Sequence, residues 1–181
     1  MSALEEVLAF WFAEGRQPQW FKSSEAFDAE VRRALLPLYE AACDGRYESW
    51  RRDPRGCLAL VILLDQVPRN LHRGTPQAFA SDAAALDVTR HALREGFAPA
   101  LSEVERLFLY MPLEHSEDLK DQRDCVRLTA ALESNREWLS YAEGHRDIIA
   151  RFGRFPHRNA VLGRESSEEE LDFLKQPNSS F

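Results

Sequence analysis

Asp53-Pro54-Arg55-Gly56-Cys57-Leu58-Ala59-Leu60-Val61-Ile62-Leu63-Leu64-Asp65-Gln66-Val67-Pro68 is the stretch on which the fold turns. From Leu58 to Leu64 every side chain is apolar, so the segment belongs at the centre of a core, as a buried helix or a buried strand. Leu and Ala outnumber the β-branched residues, and Asp53 followed by Pro54 is an N-cap with proline in the first helical turn. The segment therefore reads as a central buried helix.

Working outward, the flanks carry helical periodicity. Ser2 and Glu5 form a capping box, and Leu4, Val7, Leu8 and Trp11 then repeat at helical spacing until Gly15. After a connector over Gln17–Phe21, Phe27, Val31, Leu35 and Leu38 mark a second helix ending near Gly45, with Pro37 expected to kink it. Beyond the centre, Phe79, Ala83, Leu86 and Leu93 describe a helix stopped by Gly96, and Ser102 with Glu105 opens another through Val104, Leu107, Phe108 and Met111. These two read as an antiparallel pair. A second pair is expected from Glu117 to Glu133 and along the stripe Trp138, Tyr141, His145, Ile148 and Phe152, closed by Gly153. Ser167 and Glu170 start a short last helix. With no strand alternation or hairpin signal, the class is all-α, as one domain over residues 1–175 with a flexible tail over 176–181. Pro68, Pro112 and Pro156 stand 44 residues apart, each shortly before a histidine (His72, His115, His157), which suggests three stacked helical hairpins.

At 181 residues, 44% hydrophobic and 29% charged, the chain can bury an adequate core. A net charge of −7 argues against general binding to nucleic acid or anionic membrane. Cys43, Cys57 and Cys125 are odd in number and lack C-x-x-C spacing, so they read as free thiols of a cytoplasmic protein. The apolar run Leu8–Phe12 is too short for a signal or membrane segment.

Three segments concentrate polar chemistry. The first, Asp65-Gln66-Val67-Pro68-Arg69-Asn70-Leu71-His72-Arg73, places an acid at a helix C-terminus, where it opposes the dipole and needs a cation. Its readings are a helix stop with an ion pair, or a ligand site of Arg69 and His72. The second, Glu114-His115-Ser116-Glu117, sets two carboxylates around an imidazole. It suits proton transfer, or else Ser116 is an N-cap with Glu117 in the next helix. Only His115 is local there, so no metal site is expected and no cofactor motif is present. The third runs from His145 to Arg164 with five arginines and one acid. Its Arg154-Phe155-Pro156-His157-Arg158-Asn159 core suits gripping a carboxylate or phosphate, unless the acids from Glu165 to Asp172 simply neutralise it. His145 itself falls on an apolar stripe and reads as a hydrogen-bonded core residue.

Leu64-Asp65-Gln66-Val67-Pro68-Arg69-Asn70, His115-Ser116-Glu117, Phe152-Gly153-Arg154-Phe155-Pro156-His157-Arg158-Asn159 and Leu162-Gly163-Arg164 together resemble a bacterial family called domain of unknown function 924, over about Val7 to Leu174. The resemblance implies antiparallel helix pairs in a tetratricopeptide-like, right-handed helical array closed into a globule. It implies no activity, substrate or catalytic residue.

Three functions follow from these residues. The first is a site for a small anionic ligand or an acidic peptide end, with Arg69, Arg154 and Arg158 holding the charge and His72, His157 and Asn159 adding hydrogen bonds. The second is an enzyme in which His115 or His157 is the general base and Glu114 or Glu117 orients it. The third is a helical interaction scaffold whose polar motifs are structural clamps.

Overall fold

The computed structural model describes residues 1–177, 179 and 180, and among them no strand occurs. The helices are α1 (Ala3–Trp11), α2 (Glu25–Cys43), α3 (Pro54–Val61), α4 (Val67–Leu71), α5 (Asp82–Arg94), α6 (Glu103–Glu114), α7 (Leu119–Thr129), α8 (Arg136–Phe152) and α9 (Glu168–Leu174).

The central helix forms as its caps dictate. Asp53 accepts hydrogen bonds from the Arg55 and Gly56 N–H groups at 2.9 and 3.1 Å, and every residue from Cys57 to Leu64 is buried. It does not end at Leu64. A π-helical turn over Ile62–Gln66 carries it into α4, with the Val67 N–H donating to the Ile62 carbonyl. Pro68 explains the irregularity, because it lacks an N–H and its ring crowds the carbonyl four residues back, that of Leu64. Side chains take up the exposed carbonyls. Ser81 Oγ donates to Leu64 O at 2.6 Å and Arg69 Nη1 to Asp65 O at 2.6 Å.

Around this axis α1, α5 and α6 pack on α3, and α2 packs on α4. Trp11, Phe27, Leu35, Ile62 and Phe108 fill the main core, with Trp11 edge-on to Phe108 at 6.0 Å. Helices α7 and α8 pack on α6 and on each other, over smaller clusters around Leu113, Cys125 and Ala142 and around Ile148, Ile149 and Phe155. The capping box expected at Ser2 is present, and Ser102 and Ser167, where helices were expected to start, carry capping boxes as well.

Gly56 lies where the connector before α3 crosses the helix start, and a Cβ there would fall 2.0 Å from the Trp50 carbonyl oxygen. Backbone cannot move aside cheaply. Gly56→Ala is expected to cost about 1–3 kcal/mol of stability, seen as a lower urea midpoint with unchanged slope.

Several expectations need correction. The buried face of α5 is Ala85, Val88, Thr89 and Ala92, while Ala83 is exposed and Phe79 lies in a preceding 3₁₀ turn over Pro76–Phe79. Small residues let α5 approach α3 and α6 closely, so the larger side chains sit at the seam's edge. Tyr141 is 55% exposed, because α8 turns Ala142, His145, Ile148 and Ile149 inward. Asp118, not Ser116, is the N-cap of α7, which starts at Leu119. The three spaced prolines are not equivalent: Pro68 starts α4, Pro112 lies inside α6, and Pro156 opens a 3₁₀ turn over Pro156–Arg158. Of the tail, Asn178 and Phe181 lie outside the described residues, and Ser179 is buried with its hydroxyl on the Leu174 carbonyl at 3.1 Å.

Candidate functional site

The π turn sets Asp65 inside the core with no exposure. A carboxylate can stay ionised there only with several donors and a nearby cation. Asp65 has both. His115 Nδ1 lies 2.7 Å from its Oδ1, Gln66 Nε2 donates to Oδ2 at 2.6 Å, and Arg69 Nη1 is 3.3 Å from Oδ1. Burial alone would raise its pKa, but Arg69 and His115 outweigh burial and hold it well below the usual carboxylate range.

His115 comes from the end of α6, where carbonyls lack helical partners. Gln122 of α7 donates to the Glu114 and Ser116 carbonyls at 2.5 and 2.7 Å, which fixes the chain on both sides of the ring. The His115 side chain keeps 16% exposure. With Nδ1–H donated to Asp65, the lone pair resides on Nε2. Burial, then Arg69, lowers the imidazole pKa against the pull of Asp65, which leaves the ring neutral at physiological pH.

Two arginines flank this pair. Arg69 grips Asp82 of α5 with two bonds, at 2.8 and 3.1 Å. Arg158 lies between the rings of Phe79 and Phe155, 4.8 and 4.4 Å from their centroids, and donates to the His115 carbonyl at 3.1 Å. It is 3.8 Å from Asp82, so both arginines converge on one carboxylate. Burial, then Arg69, lowers the Arg158 pKa to about 10, still charged at neutral pH.

A third wall is buried and neutral. Glu114 lies 3.6 Å from His145 Nδ1 and 3.9 Å from Cys125 Sγ, and burial, reinforced by Asp65, pushes its pKa up to about 8. His145 pairs with the Tyr141 carbonyl at 2.8 Å, and burial foremost holds its pKa down at about 3. Its ring centroid is 6.4 Å from that of His115. His157, 5.6 Å from Phe155, is lowered to about 4 by burial and then Arg158.

A family of bacterial proteins of unknown function, DUF924, matches residues 7–178. The chain belongs to this family. A solved structure of a protein of unknown function, ATU0120 from Agrobacterium tumefaciens, is 38% identical and superposes with a TM-score of 0.90, over 95% of this chain and 96% of that one. None of the curated proteins matches.

In this DUF924 chain the candidates separate into two groups. His115, Glu114, Arg69, Arg158 and His157 gather around the Asp65–His115 pair. Glu117, Arg154 and Asn159 instead clamp the loop after α8. Glu117 takes two bonds from Arg164, at 2.7 and 2.9 Å, and one from the Phe155 N–H at 2.8 Å. Arg154 binds both oxygens of Glu170 at 2.7 Å, and Asn159 holds Arg164 and Ser166. Glu117 therefore does not orient His115, and the Arg154 guanidinium is committed to Glu170, as the acids following that segment had suggested. His72 lies beside Tyr39 of α2, 6.2 Å between ring centroids.

Sequence reasoning missed three participants. Asp65 showed itself as a misplaced acid at the end of an apolar run, but not as the partner of His115. His145 is the buried, hydrogen-bonded residue its stripe implied, yet it also borders His115. Asp82 stands in an ordinary helix first turn and carried no signal. Among the described residues no group of three or more His, Cys, Asp or Glu is placed to hold a metal ion, and no helix is long and apolar enough to cross a membrane. Two surface cavities, of about 300 Å³ beside Cys43, Arg51 and Ser81 and of about 470 Å³ beside Met1, Phe12 and Arg55, are lined by none of the residues around His115. Space without convergent polar groups is the weaker sign of chemistry.

Proposed function

We propose that this protein is an acid–base catalyst acting on a small molecule, with His115 as the general base and Asp65 as the residue that orients it. One observation carries the reading: the 2.7 Å bond from a partly exposed imidazole to a wholly buried carboxylate. A buried Asp fixes the ring tautomer and stabilises the imidazolium that forms when Nε2 takes a proton. The π-helical turn beneath Asp65 supports it, since such turns are uncommon and concentrate at functional sites. Glu114, protonated below its pKa of about 8, stands behind His115 as a neutral wall that does not compete for the proton. The three free cysteines support a reducing, cytoplasmic setting.

A second reading is favoured by Arg158. A site that binds a small anion or an acidic peptide end without turning it over uses the same cluster.

The test is a panel of small esters, lactones and phosphomonoesters with the native protein, His115→Gln and Asp65→Asn. Turnover that disappears in His115→Gln and loses its neutral-pH optimum in Asp65→Asn is expected. Turnover indifferent to both substitutions sinks the acid–base reading.

A further inference from the structure

Arg158 carries an unmet demand beside the Asp65–His115 pair. Its side chain is 8% exposed, and its Nε is buried without a hydrogen-bond partner among the described residues. Every carboxylate near it is spoken for. Asp82 gives both oxygens to Arg69, and its 3.8 Å approach to Arg158 is too long for a hydrogen bond. Asp65 serves His115 and Gln66, and Glu117 serves Arg164 and the Phe155 N–H. A guanidinium presents its donors in a planar fork that matches the two oxygens of an oxyanion, and the stacked rings of Phe79 and Phe155 hold that plane still.

We infer that the substrate handled at His115 is an oxyanion, a carboxylate or a phosphoryl group held on Arg158, and that its arrival draws one proton onto His115. The inference rests on the acid–base reading of the Asp65–His115 pair. Its proton coupling follows from charge balance. Arg69 and Arg158 are matched in number by Asp65 and Asp82, and Arg164 by Glu117, so a carboxylate leaves the buried cluster one charge negative and a dianion such as sulfate two. The groups facing His115 are Asp65 on the π turn, Arg69 on α4, Asp82 on α5, His145 on α8, His157 and Arg158 on the 3₁₀ turn, and Glu114 on its own helix. Of the bases among them, His145 and His157 are held down at about 3 and 4, and the carboxylates of Asp65 and Asp82 are bound to cations. His115, with its Nε2 lone pair, takes the proton first. The anion offsets the repulsion that Arg69 exerts on the imidazolium.

Calorimetric titration of the native protein with sodium sulfate and, separately, sodium acetate, in two buffers of different ionisation enthalpy, reads both binding and proton uptake. Sulfate stands for a phosphoryl group and acetate for a carboxylate, so the tighter of the two names the source. Binding is expected with uptake approaching one proton, and with affinity falling about tenfold per pH unit at neutral to alkaline pH. His115→Gln should abolish the uptake while binding survives. Arg158→Lys should weaken binding about tenfold or more, because a point charge replaces the fork. If that variant fails to fold, proton uptake by the native protein still decides. The inference is overturned if neither oxyanion binds, if binding takes up no proton, or if Arg158→Lys binds as tightly as the native protein. Turnover that needs His115 without oxyanion binding would remove this inference alone. Arg158-dependent binding with no turnover anywhere in the panel would remove the acid–base reading and leave a receptor.

Discussion

Asp65→Ala is expected to lower the unfolding free energy by about 3–5 kcal/mol, the size associated with breaking one side of a buried ion pair. Asp65 is fully buried and joins three donors, so its removal leaves Arg69 with Asp82 as its carboxylate partner and His115 Nδ1–H without its acceptor. It also opens a void beneath the π turn. Because whole domains are stable by only about 5–15 kcal/mol, urea unfolding should show a large fall in midpoint with little change in slope. Asp65→Asn keeps the shape and should lose less. A loss below about 1 kcal/mol for Asp65→Ala, the size expected of an exposed pair, would mean the carboxylate is not the keystone of this cluster.

The second large effect concerns Glu114 and pH. Its folded pKa of about 8 stands above its ordinary value of 4.5, so between those values the folded state holds a proton that the unfolded state has released. Stability is then lost as pH rises through this window, by about 1.4 kcal/mol per unit. His145 and His157 act oppositely. Their folded pKa values of about 3 and 4 lie below the ordinary 6.5, so their contribution is complete above pH 6.5 and is lost as pH falls below it. The stability profile should peak near pH 6.5 and decline on both sides, measured as midpoint against pH. Glu114→Gln removes the ionisable group. After about 1–3 kcal/mol for burying an amide with imperfect partners, it should still stabilise the protein at pH 8 by about 2–4 kcal/mol and abolish the alkaline decline. An unchanged alkaline slope in Glu114→Gln would place the responsible group elsewhere.

Much of the architecture was readable residue by residue. The Asp53-Pro54 start, the capping boxes at Ser2, Ser102 and Ser167, and the left-handed Gly153 after α8 stand where the chain implied. These are signals spanning three or four residues, so neighbours in sequence suffice to produce them. The faces of the helices were less secure. On α5 the expected Leu86 and Leu93 do pack against the core, but the fully buried face is Ala85, Val88, Thr89 and Ala92, because close packing there favours small residues. In the candidate site, His115, Glu114, Arg69 and Arg158 stood out as chemistry looking for partners. Some partners were readable, Arg69 for Asp65 and an acid of the Glu165–Asp172 run for Arg154. Glu117 as the partner of His115 was not what formed, since an arginine committed to Glu170 and one bordering His115 look alike in a string of letters.

The sequence by itself determined an all-helical chain with a wholly apolar central helix and polar residues gathered at helix ends, since periodicity, caps and the missing N–H of proline are local properties. It also placed Pro68 where the backbone of that helix had to deviate. The tertiary structure alone decided that Asp65 meets His115 fifty positions away, that Arg69 and Arg158 share Asp82, and that Arg154 does not join them. The reason is that an ion pair between distant segments depends on how α5 and α6 pack against the central helix and on the desolvation this imposes, and no short-range pattern encodes either.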